Sequence, residues 1–71
     1  MDTDTIRQRL LDNLGDIEVD YCNWLLIDSL AIITSKIHND PEKALPSMIA
    51  QQRQLIRAYQ ALQSRDNSFF L

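Results

Sequence analysis

Two side chains in this sequence could form a nucleophile–base pair: Cys22 and His38, the only cysteine and the only histidine. Thiolate attack needs the imidazole within hydrogen-bond reach of the sulfur. Both residues fall on one stretch of helical periodicity, 16 positions apart. At the rise of an α-helix that is roughly 24 Å, so a straight helix keeps them from meeting. The bland reading of Cys22 is a small core residue. Asp16, Glu18 and Asp20 bring three carboxylates close together. A cation site would need their oxygens to converge, usually on a loop. Here they precede an apolar periodic run, where acidic groups suit the start of a helix. Arg53 and Arg57 share one helical face with Gln60 and Ser64, a face that could touch phosphates or simply stay solvated. The single glycine leaves no phosphate-cradling loop, and zinc-ligand spacing is absent. The expectation is a non-enzyme with no cofactor and no metal site.

Charge narrows the partners. The net charge is -3. Acids dominate residues 1–40 (Asp2, Asp4, Asp12, Asp16, Glu18, Asp20, Asp28 and Asp40 against Arg7, Arg9 and Lys36). Bases prevail in residues 41–71 (Lys43, Arg53, Arg57 and Arg65 against Glu42 and Asp66). This polarity suits an antiparallel pairing of the two halves, or of two copies. It suits a nucleic-acid binder poorly, because phosphate contacts need excess positive charge. The first residues are acidic and no apolar run follows them, unlike a secretory leader. The longest purely apolar runs, 24–27 and 30–33, are far short of a membrane span. A cytoplasmic, non-membrane protein is expected.

The elements that position these residues read as all-α. Thr5 with Gln8 has the capping-box spacing, and a short first helix is expected at about 5–14. Gly15 can end it in a left-handed conformation, with Asp16 capping the next helix, about 17–38. If Gly15 breaks the chain, helix one folds back. If it does not, a long one-sided apolar rod results. The cap at Asp16 favours the break. Asn39-Asp40-Pro41 is a turn signal. Pro46 cannot sit inside a regular helix with Glu42 four residues earlier, so a short turn at 41–45 should precede a third helix over about 46–64. Helices two and three then form an antiparallel hairpin. The whole chain, 1–71, reads as one small helical domain, with 65–71 as a flexible or docking tail.

Helix two carries two apolar stripes. Val19, Cys22, Leu26, Leu30, Ile33 and Ile37 form the first and should face Leu45, Met48, Leu55 and Leu62 of helix three. Leu26, Leu30 and Leu55 should be interior. Tyr21, Trp24, Leu25 and Ile32 form the second, interrupted by Asp28. A surface helix ordinarily has one apolar face. The second stripe is therefore the candidate interface, with Asp28 as a buried polar register device answered by an arginine of helix one or of another chain. Core packing under helix one is the competing reading. Arg53, Arg57 and the Phe69-Phe70-Leu71 end are secondary candidates. A chain of this size without disulfides needs another source of stability, and a homo-oligomeric bundle is the favoured one. The function expected is a protein–protein interaction module: an adaptor, an inhibitor or a chaperone-like cap, with self or another protein as partner. The alternative is an oligomeric nucleic-acid-associated subunit, such as a DNA-packaging or regulatory component.

Overall fold

The computed structural model describes residues 2–64. Over that range the chain is helical, with no strand: α1 (Thr3–Leu14), α2 (Tyr21–Asn39), one 3-10 turn (Pro41–Lys43) and α3 (Pro46–Gln63). No helix among these residues is long and apolar enough to cross a membrane. The Phe69-Phe70-Leu71 end lies outside the described residues.

Local chemistry explains each boundary. The Asp2 side chain accepts a hydrogen bond from the Thr5 backbone N–H at 2.8 Å and caps α1. The helix therefore begins at Thr3, a few residues earlier than the Thr5–Gln8 pattern implies. At Gly15 the chain turns with φ 60° and ψ -120°, a conformation in which a side chain is strained. The break at Gly15 is real, and α1 folds back against α2. A Cβ added at Gly15 would meet nothing within 4 Å. Gly15→Ala thus isolates backbone strain from steric clash. It should lower stability by about 1–3 kcal/mol, measurable by urea denaturation.

α2 begins at Tyr21, not Ile17. Asp20 is its cap, accepting from the Asn23 N–H at 2.7 Å. Asp16 and Asp20 are equally good capping residues, and packing chooses between them. Residues 17–20 are not helical, and they alternate. Ile17 and Val19 are half-buried and pack against the core, while Asp16, Glu18 and Asp20 are exposed. Holding 17–20 out of the helix lets both β-branched residues reach the core from one short connection. Only Asp20 of the three acids therefore serves a helix N-terminus. At the other end, the Asp40 N–H bonds to the Lys36 carbonyl at 3.2 Å. Pro41 then opens the 3-10 turn, and Pro46 occupies the first turn of α3, where a missing N–H costs nothing.

α2 is the shared element. Both α1 and α3 pack on it, in the antiparallel sense the short connections impose. The centre of the core is Ile27, with no exposed surface, joined by Leu14, Leu30, Ile33, Tyr59 and Leu62. Ala31 is also fully buried. This departs from the expected seam at several positions. Cys22 is exposed. Val19 lies before the helix. Leu26 and Leu55 are only half-buried, whereas Leu30 is 3% exposed. Ile27 and Ala31, on neither apolar stripe, are the innermost residues of α2. The Tyr59 hydroxyl closes the arrangement by donating to the Leu10 carbonyl at 2.6 Å, joining α3 to α1 across the core. Gln52 donates to the Thr34 hydroxyl at 3.2 Å, which sets the register of α3 along α2.

Candidate interaction surface on the central helix

α2 advances 100° per residue, so Ile27 and the line through Leu25, Ser29, Ile32 and Lys36 lie on nearly opposite sides. α1 and α3 close over the Ile27 side. The opposite side stays open. Leu25 is 42% exposed, Ile32 39% and Tyr21 75%. A chain of three helices, only 17 Å through its thinnest dimension, cannot cover both sides of its central member.

The five residues of the candidate interface therefore part into two groups. Trp24 and Asp28 stand on the shoulder of α2 that faces α1. Arg7 of α1 takes both. Its Nε and Nη2 donate to Asp28 Oδ1 at 2.9 and 2.5 Å, and its guanidinium carbon lies 5.7 Å from the centroid of the Trp24 ring. Nη1 donates to Asp4 at 2.7 Å. The guanidinium is held even more firmly in its charged form, first by Asp28 and then by Asp4. Asp28 thus receives its arginine from helix one of the same chain. The pair is partly buried, each side chain about a quarter exposed, so breaking it strands a charge at a semi-dry site. Its role is to lock α1 against α2 and to fix the Trp24 ring. Tyr21, Leu25 and Ile32 form the second group and point away from the fold.

Beside Ile32 the open side deepens into a shallow groove between α2 and α3, lined by Ser29, Ile32, Ile33, Lys36, Met48 and Gln51. The start of α3 adds two exposed apolar residues, Leu45 and Ile49. Leu45, assigned by periodicity to the hairpin seam, lies outside it because the helix starts only at Pro46. In the sequence Lys36 is one lysine on a mostly apolar helix. Its place at the groove is legible only once α3 is docked.

The secondary candidates stand apart. Arg53 and Arg57 are exposed on α3 and belong to none of the ion pairs among the described residues. Phe69 and Phe70 lie outside the described residues. Among the described residues, no three His, Cys, Asp or Glu side chains come together as a metal site requires. No family model, curated protein or solved structure matches the chain.

Proposed function

We propose that this chain is a non-enzymatic protein-interaction module, an adaptor, inhibitor or cap, whose contact surface is the open face of α2. One observation carries the reading. Tyr21, Leu25 and Ile32, 75%, 42% and 39% exposed, share the side of α2 that α1 and α3 leave open. Scattered single apolar residues on a surface need no explanation, whereas several that share one helix face do. Aromatic anchors such as Tyr21 and Trp24 dominate interfaces once desolvated. The Arg7 contacts pre-organise Trp24 at the edge of that face, which reduces the ordering cost of binding. The alternative of a nucleic-acid-associated subunit has less support, resting on Arg53 and Arg57 in a chain of net charge -3.

Leu25→Asp tests the reading. It places a charge in the middle of the face, at a position already 42% exposed. Helix content by circular dichroism should be unchanged. Any complex the wild type forms, with itself or with a purified partner, should weaken at least about thirtyfold, the loss of one hot spot. Equal affinity of the wild type and Leu25→Asp for every partner would remove this face as the contact surface.

A further inference from the structure

The open face of α2 is self-complementary, and we infer that its occupant is a second copy of this chain, paired antiparallel about a two-fold axis at Ser29. The inference rests on the functional reading above and names the partner for that same surface. Three features of the chain lead to it.

The first is the spacing of knob and groove. An antiparallel pair of α2 helices with the axis at Ser29 brings residue i opposite residue 58 - i of the partner copy. Leu25 of one copy then falls at the level of Ile32 and Ile33 of the other. That is the groove lined by Ser29, Ile32, Ile33, Lys36, Met48 and Gln51. The knob and its receptacle are thus on one chain, and the two-fold operation uses each of them twice, as an isologous contact requires. Met48 suits the floor of such a groove, since its flexible thioether adapts to the inserted side chain. Ser29 is small and exposed, so the two backbones can approach at the axis.

The second is charge. The N-terminal end of α2 is acidic: Asp16, Glu18 and Asp20 are all exposed. The C-terminal half of its open face ends on Lys36, also exposed. Neither Glu18 nor Lys36 forms an ion pair among the described residues. In the antiparallel pair Lys36 lies at the level of Cys22 of the other copy, at the end of α2 that the acidic connection 16–20 precedes. Both ends of the pair gain the same attraction. A parallel pair would instead set acid beside acid and lysine beside lysine.

The third is size. One helix face lies at the lower end of specific interfaces, which favours a weak, reversible dimer over an obligate one. A dissociation constant on the order of micromolar is expected.

Sedimentation of the full chain tests this, with two charge reversals. Lys36→Glu and Glu18→Lys each place like charges together at both ends of the pair. Each alone should raise the dissociation constant about tenfold or more. Mixed in equal amounts, they restore opposite charges at both ends, and the mixture should dimerise as the wild type does. Both positions are exposed, and circular dichroism should show the fold intact. Oxidation checks the direction. In the antiparallel pair the two Cys22 residues are 14 helical positions apart along the axis, roughly 21 Å, too far for a disulfide. The wild type should stay uncross-linked, while Cys22→Ser combined with Ser29→Cys should cross-link readily. A wild type that remains at 8.3 kDa at millimolar concentration overturns the inference. So does a mixture that fails to associate, or a wild-type disulfide through Cys22. If the wild type is monomeric but a complex with a different protein is lost in Leu25→Asp, self-pairing falls and the interaction reading stands. If Leu25→Asp also leaves every such complex intact, both fall.

Discussion

Ile27→Ala should destabilise the chain by about 2–5 kcal/mol, the range for removing a large aliphatic side chain from a packed interior. Ile27 has no exposed surface. It lies where α1 and α3 close over α2, at the centre of the core cluster. That places the expected cost toward the upper part of the range. A chain of this length has roughly 4–11 kcal/mol of total stability, at about 0.05–0.15 kcal/mol per residue. The variant therefore loses a large share of it, and its urea midpoint should fall sharply. Leu26→Ala is the control. It removes a similar volume one residue away, from a half-buried position, and should cost clearly less. Equal losses in the two variants would mean that Leu26 lies as deep in the core as Ile27.

The second large effect is expected at Tyr59. Its ring is 6% exposed, and Tyr59→Ala should cost about 3–5 kcal/mol, as loss of a core aromatic does. Tyr59→Phe keeps the ring and removes the hydroxyl with its bond to the Leu10 carbonyl, for about 0.5–1.5 kcal/mol. The pair of variants separates packing from hydrogen bonding. Alkali separates them again. Burial raises the Tyr59 phenol above its ordinary value of 10.0, partly offset by a hydrogen bond with Asn13. The unfolded chain therefore gives up this proton before the folded chain does. The Tyr59 contribution is fully present below pH 10 and is lost as the pH rises through the folded value. Stability curves of the wild type should turn down above about pH 10, and this part of the decline should be missing in Tyr59→Phe. Identical alkaline slopes would show that the phenol is not held in its neutral form.

How much of this was legible in the sequence differs from residue to residue. The turn at Asn39-Asp40-Pro41 and the start of α3 at Pro46 are fixed by proline geometry, which acts locally, so they are readable without knowing the fold. The end of α1 at Gly15 is readable for the same reason. The start of α2 is not. Asp16 and Asp20 offer the same cap, and the choice lies with Ile17 and Val19, whose burial is a tertiary matter. The alternation of acid and β-branched residue over 16–20 was a usable sign of extended chain. Helical periodicity places Leu30 and Ile33 inside correctly but misses Ile27 and Ala31, the innermost residues of α2. Apolar residues surround most of this helix, so the pattern has more than one good solution. Ile27 and Ala31 win because both neighbours converge there, and Ala31 is small enough to let them. At the candidate surface, an arginine from helix one was a foreseeable partner for Asp28. The groove beside Ile32 was not foreseeable, because Met48 and Gln51 reach it from α3 and only the docked helix brings them there. Nor was the partner of the Tyr59 hydroxyl, which lies 49 residues away.

That last separation has a consequence for how the chain comes together in time. Among the described residues the extensive helix–helix contact surfaces join neighbours in the chain, α1 with α2 and α2 with α3. Such low contact order favours rapid folding. The bond from Tyr59 to Leu10 is of another kind. It closes a long loop, and the entropic cost of a loop grows with its length, so the bond has little to gain from forming before both hairpins exist. It then acts after the rate-limiting step, as a latch on a structure already assembled. Tyr59→Phe should leave the refolding rate nearly unchanged and take its whole effect in faster unfolding. Stopped-flow chevrons would show this as a shift of the unfolding limb alone. The hydroxyl would thus govern how long the folded chain lasts, not how quickly it is made.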